Sequence, residues 1–146
     1  MDTVVSKKLT TEGAMKVLGA ASDRAHALNC HVSIAVVDDG GHLIAFTRSE
    51  KAELYSIAIA QAKAKSAALT RFPSGKKSPT GNERDDHHAL AITLAAGAGS
   101  FVTIPGGFSI LAEGEIVGAV GVSGAGIKDV EISQTAAALL TNNSRH

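Results

Sequence analysis

Pro105-Gly106-Gly107-Phe108-Ser109-Ile110, running on through Gly114-Glu115-Ile116-Val117-Gly118-Ala119-Val120-Gly121-Val122-Ser123-Gly124, decides how this chain is read. It contains a tight turn, a short strand, a second turn and a second, Gly-rich strand. Glycine inside a strand weakens it and marks a bulge, or a place where another backbone or a ligand comes close. Gly118 and Gly121 interrupt one apolar run, and Gly124 and Gly126 follow before a helical pattern begins. The segment reads as a surface built from backbone. Its occupant stays open between a ligand and a tightly packed helix.

Working outward, His31 to Asp38 alternates, with Val32, Ile34 and Val36 on one face, and His42 to Ser49 returns after Asp39-Gly40-Gly41. Asp-Gly between such runs predicts a hairpin. A first helix follows an N-cap at Thr10 or Thr11, with Ala14, Val17, Leu18, Ala21, Ala25 and Leu28 at helical spacing and Asn29 at its end. Leu54 to Thr70 predicts an Ala-rich second helix, stopped by Phe72-Pro73-Ser74-Gly75. A third runs from near Arg84 to Asp86 to about Ala96. Strands are expected at 101–104, 108–112 and 115–122, and a last helix opens at Lys128 or Asp129. The order is α-β-β-α-α-β-β-β-α, an α+β chain with a sheet of about five antiparallel strands flanked by helices.

The chain has 146 residues, 45% of them hydrophobic but only 3% aromatic, so its core must be aliphatic and its Ala-rich helix can approach closely. That length predicts a single domain, 1–146. Fourteen basic and fourteen acidic residues balance, which argues against a nucleic-acid partner. One cysteine, Cys30, excludes an internal disulfide and a cysteine-rich metal site, and reads as a small buried residue. No apolar run is long enough to span a membrane and no signal pattern opens the chain, so the expected location is cytoplasmic.

Three stretches carry a family resemblance: Val37-Asp38-Asp39-Gly40-Gly41-His42-Leu43-Ile44-Ala45-Phe46-Thr47-Arg48, Ala60-Gln61-Ala62-Lys63-Ala64-Lys65-Ser66-Ala67, and Pro105-Gly106-Gly107 through Val122-Ser123-Gly124-Ala125. Together they resemble the GlcG/HbpS-like or haem-degrading domain family, which includes the C-terminal domain of PduO-type proteins. The resemblance extends from about residue 8 to 142. It implies a profilin-like antiparallel sheet with flanking helices, homo-oligomers, and haem or corrinoid association for some members. It fixes neither an activity nor an axial ligand. Glu83-Arg84-Asp85-Asp86-His87-His88 departs from the family's usual look.

His87 and His88 form the sharpest polar cluster. Adjacent helix positions point about 100° apart, so the two do not readily share one ion. Glu83 precedes His87 by four and falls on its face only if the helix starts early enough. The set suits acid/base work with an orienting carboxylate, or one imidazole on haem iron; a solvated helix start, with Asp85 and Asp86 at its positive end, is the plain alternative. Arg48 offers a planar fork for a carboxylate or a haem propionate. Gly106, Gly107, Ser123 and Gly124 are the candidate backbone cradle, with amides for an anion before the last helix. Lys63 and Lys65 fall on different faces of the Ala-rich helix; an exposed face is the default expectation for either, with the alternative that one points into the pocket. His42, His26 and His31 are weaker ligand candidates, and His146 is terminal. No zinc motif occurs, so no metal held by the protein alone is expected.

These readings favour a small-molecule-binding protein, with haem or a related tetrapyrrole as its ligand. The pocket is expected between the Pro105-Gly106-Gly107 turn, the Gly124 loop and His87/His88. A small enzyme acting on an organic acid, with Glu83, His87 and His88 as its acid/base set, is the rival. An accessory oligomer without a ligand is the third reading, with Gly118→Val as its assembly probe.

Overall fold

The computed structural model describes residues 1–143; His146 lies outside them. Helix α1 spans Thr11–Ala27, strands β1 and β2 span Ser33–Asp38 and Leu43–Arg48, and helices α2 and α3 span Ser56–Thr70 and Asp86–Ala96. Strands β3 (Gly107–Ala112) and β4 (Glu115–Ser123) follow, then α4 (Lys128–Ala137) and the five-residue α5 (Leu139–Asn143). The strands form one antiparallel sheet in the order β2-β1-β4-β3.

The local signals explain most elements. Thr10 Oγ1 accepts from the Gly13 amide and caps α1, and Asn29 takes a left-handed φ of 56° just beyond it. In the first hairpin only Gly41 of the two glycines has positive φ, 84°. The turn is closed by the Asp38 carboxylate, whose Oδ1 accepts from the Gly40 and His42 amides, each at 2.9 Å. Burial raises the Asp38 carboxyl, but these amides and the His42 ring outweigh it and hold the group below the usual aspartate value.

Two expectations are corrected. Among the described residues the sheet has four strands, not five: residues 101–104 form none. There Val102 donates its amide to Ser66 Oγ of α2 at 3.3 Å, so a helix side chain satisfies a group that a strand neighbour would otherwise bond. Gly97 and Gly99, with φ of 98° and 87°, turn the chain just before it, and Pro105 follows. The last helix is also broken at Ala138 into α4 and α5, so the order is α-β-β-α-α-β-β-α-α.

The sheet is covered on both faces. Val17 and Leu18 of α1 and Ile132 of α4 pack with Ile34, Val36, Val120 and Val122 on one side. Ala60, Ala64, Ala67 and Ala68 of α2 pack with Ala35, Val37 and Ala119 on the other. The glycines set how close α2 comes. A Cβ on Gly121 would collide with the Ala60 carbonyl and stand 2.5 Å from the Ala64 nitrogen, and one on Gly107 would lie 2.7 Å from the Lys63 carbonyl carbon. Much of the backbone-built surface is therefore occupied by α2, the close helix–sheet packing that the glycine spacing left open.

Candidate functional site

Lys63 is the buried surprise of α2. It is 1% exposed, where an exposed helix face was expected. Its Nζ donates to the Val122 carbonyl at 2.7 Å and to Asp129 Oδ2 at 3.1 Å. Burial pushes its ammonium below the ordinary lysine value, and Asp129 only partly offsets this. Gly106 leaves room for the side chain: a Cβ there would lie 2.9 Å from Lys63 Nζ. Asp129 Oδ1 in turn accepts from the Ala125 amide at 2.8 Å. An internal carboxylate thus already receives one amide of the β4–α4 turn that the sequence offers to an external anion. The missed signal was the pairing of a lysine in an Ala-rich helix with Gly106-Gly107 on the chain that faces it.

The sheet register brings some candidate residues to one end. Ser33 pairs with Arg48 on one side and Ser123 on the other, so these lie across three adjacent strands. Gly124 follows with φ of 127°, and a Cβ there would stand 2.7 Å from the His31 carbonyl oxygen. A cleft of about 400 Å³ at this end is lined by Arg48, His26, Cys30 and His31. An adjoining one of about 290 Å³ is lined by Cys30, His31, Lys51, Glu53 and Gly124. Cys30 is half-buried and lines both clefts, rather than lying in the core as expected. Neither has His87 or His88 in its lining.

Those two histidines lie elsewhere, at the first turn of α3. Asp85 is the N-cap, extended at φ −73° and ψ 165°, and its Oδ1 accepts from the His88 amide at 2.7 Å. The helix therefore begins after Glu83, and the four-residue spacing to His87 does not place the two on one helical face. Glu83 instead bridges to Lys77 through its backbone, and the Arg84 amide donates to the Lys76 carbonyl at 2.9 Å. Glu83, His87 and His88 are exposed, and among the described residues their side chains form no hydrogen bond or ion pair. The described residues contain no group of three or more His, Cys, Asp or Glu placed to hold a metal ion.

Helix α3 buries none of its residues. His87, Leu90 and Leu94 share one side at i, i+3 and i+7, and the two leucines are 57% and 75% exposed. Beside its start lies a cleft of about 340 Å³ with Phe72, Pro73 and Pro105 as apolar lining and Lys76 and Lys77 also contributing. Gly107 sits just behind it, exchanging hydrogen bonds with Ser74: its amide donates to Ser74 Oγ and its carbonyl accepts from the Ser74 amide. The structure thus joins Pro105 to the Phe72–Lys77 segment, while Arg48, Ser123 and Gly124 gather at the His31 end.

Comparison with known proteins agrees with this architecture. The family model for haem degrading protein HbpS-like matches residues 9–138, and the chain belongs to that family. It is 36% identical over 121 residues to protein GlcG of Escherichia coli strain K12, covering 79% of this chain and 81% of GlcG. A doubly substituted Streptomyces reticuli HbpS superposes with a TM-score of 0.76 at 30% identity, covering 95% of this chain and 91% of that one. The structure of a PduOC:heme complex superposes at 0.69 with 25% identity, over 90% and 94% of the two chains. No helix among the described residues is long and apolar enough to cross a membrane.

Proposed function

We propose that this protein binds haem or a related tetrapyrrole on the α3 face, with His87 as the iron ligand. The observation that carries the reading is the exposed His87-Leu90-Leu94 stripe on a helix with no fully buried residue, where Ala89, Ile92 and Thr93 on other positions are half-buried. An imidazole without a protein partner is free to bind iron, and two leucines beyond it offer a flat macrocycle an apolar bed. The segment hydrogen-bonded to the lead into α3 would suit such a group, since its cleft has Phe72, Pro73 and Pro105 as apolar lining and Lys76 and Lys77 as cations for propionates. Membership of the HbpS-like family and the likeness to a haem complex support the same ligand class. Bound haem would supply a redox-active iron; the chain's own part is to orient it, pair its carboxylates and exclude water from one face. The opposite face is left to a second copy of the chain, which makes the working form a homo-oligomer.

A haem titration followed at the Soret band tests this. Wild type and His88→Ala should give a saturable, stoichiometric band, and His87→Ala should shift its position and weaken binding. A flat or non-saturating response, or a band unchanged in His87→Ala, would remove the α3 face from the reading.

A further inference from the structure

The 400 Å³ cleft at the other end of the sheet has a chemistry of its own. It is built on the last turns of α1, the start of β1 and the end of β2. Ala25, Val32 and Ile34, all buried, give it an aliphatic floor. Arg48 stands on its rim, exposed, and among the described residues joins no ion pair and no side-chain hydrogen bond. His31 forms the wall, its Nδ1 sharing a hydrogen bond with Ser49 Oγ at 3.2 Å, which leaves Nε2 for a ligand.

An unpaired guanidinium offers a carboxylate two parallel N–H donors. Glu50 shares the rim, and α1, which contributes His26 and is followed by Asn29, turns its negative, C-terminal end this way. Both disfavour a second negative charge. We infer that this cleft binds a small aliphatic monocarboxylate, its carboxylate on Arg48 and its carbon skeleton over Val32 and Ile34. A dicarboxylate or phosphate would meet Glu50 and the helix end. The site shares no lining residue with the α3 face and stands independently of the haem reading.

Cys30, the single cysteine of the chain, lines this cleft and serves as a reporter. The rate of its alkylation by N-ethylmaleimide is measured against rising butyrate, with chloride holding ionic strength constant, and the His31 ring resonances are followed in parallel. The expected result is saturable protection with a shift of the His31 signals. Arg48→Gln should weaken it by roughly tenfold or more, as loss of a charge-assisted pair implies. That variant should keep the wild-type far-UV spectrum and unprotected alkylation rate, and His87→Ala should protect as wild type does. Absence of saturable protection, equal protection in Arg48→Gln, or succinate or phosphate protecting as well as butyrate would each overturn the assignment.

Discussion

Lys63→Met probes the buried ion pair that ties α2 to the β4–α4 turn. Methionine keeps an unbranched stem of similar reach, so the cavity left is small, but the ammonium is gone. Two acceptors then lose a donor: Asp129 Oδ2, formerly at 3.1 Å, and the Val122 carbonyl, formerly at 2.7 Å. Asp129 has a side chain only 5% exposed, so water does not replace what is lost. Breaking one side of a buried pair costs about 3 to 5 kcal/mol, because a charge is left uncompensated. The lower end is expected here, since Oδ1 keeps its bond from the Ala125 amide. In Lys63→Met/Asp129→Leu the orphan charge is gone as well, and part of the loss should return; the Val122 carbonyl and the Ala125 amide stay unpartnered, at about 1 kcal/mol each. Urea unfolding followed by far-UV circular dichroism is the suitable assay, because the chain has no Trp and its one tyrosine, Tyr55, is exposed. A single variant within about 0.5 kcal/mol of wild type, or a double variant whose loss equals the sum of the two singles, would refute the coupling.

The same pair sets a pH dependence. With the Lys63 pKa depressed in the fold, the unfolded chain holds a proton that the folded one has lost, from that depressed value up to the ordinary 10.5. Stability therefore rises with pH across that window, and unfolding midpoints should show a rise that Lys63→Met lacks. Gly121→Ala should destabilise by about 1 to 3 kcal/mol by overpacking, since its Cβ would meet the Ala60 carbonyl and stand 2.5 Å from the Ala64 nitrogen. Gly19→Ala is the control: within α1 and with nothing within 4 Å of the new Cβ, it should stabilise by about 0.5 to 1 kcal/mol in the same urea assay.

Local chemistry made much of the fold legible. Thr10, Asp38 with Gly41, Asn29 and Asp85 each act within a few residues of their own position, and the elements they bound fall where the sequence places them. Residues 101–104 defeated the pattern because what satisfies Val102 is Ser66, 36 positions away on a helix. Lys63 was missed for a related reason: its burial depends on Gly106 and Asp129, which only the tertiary fold brings to it. Gly118→Val, attractive from sequence as a probe of subunit assembly, acts inside the chain, because a side chain there would run into the Val37 carbonyl. The site divides similarly. Arg48, Ser123 and Gly124 are joined by strand register, which the hairpins imply, and His31 follows from the same register through Ser49, whereas His26 enters its cleft only through the way α1 packs on the sheet.

Helix α3 poses the remaining physical problem. Eleven residues in water are too few to hold a helix well by hydrogen bonding alone. What this chain provides is a cap from Asp85 and an anchor just before it, where the Arg84 guanidinium lies 5.2 Å from the centre of the Phe101 ring. Neither covers Leu90 or Leu94. Burying a leucine contributes about 1.5 to 3 kcal/mol, so an occupant covering both gains several kcal/mol before any bond to His87 forms. A flat macrocycle bedded on the stripe collects that gain on one face, and a second copy closing over it collects the same gain on the other. If α3 is the proposed haem face, ligand binding and association would draw on one apolar surface, and added haem should shift the protein toward a larger assembly. Leu90→Ser/Leu94→Ser should weaken both together while leaving the sheet and its core, to which α3 adds no buried side chain, as stable as before.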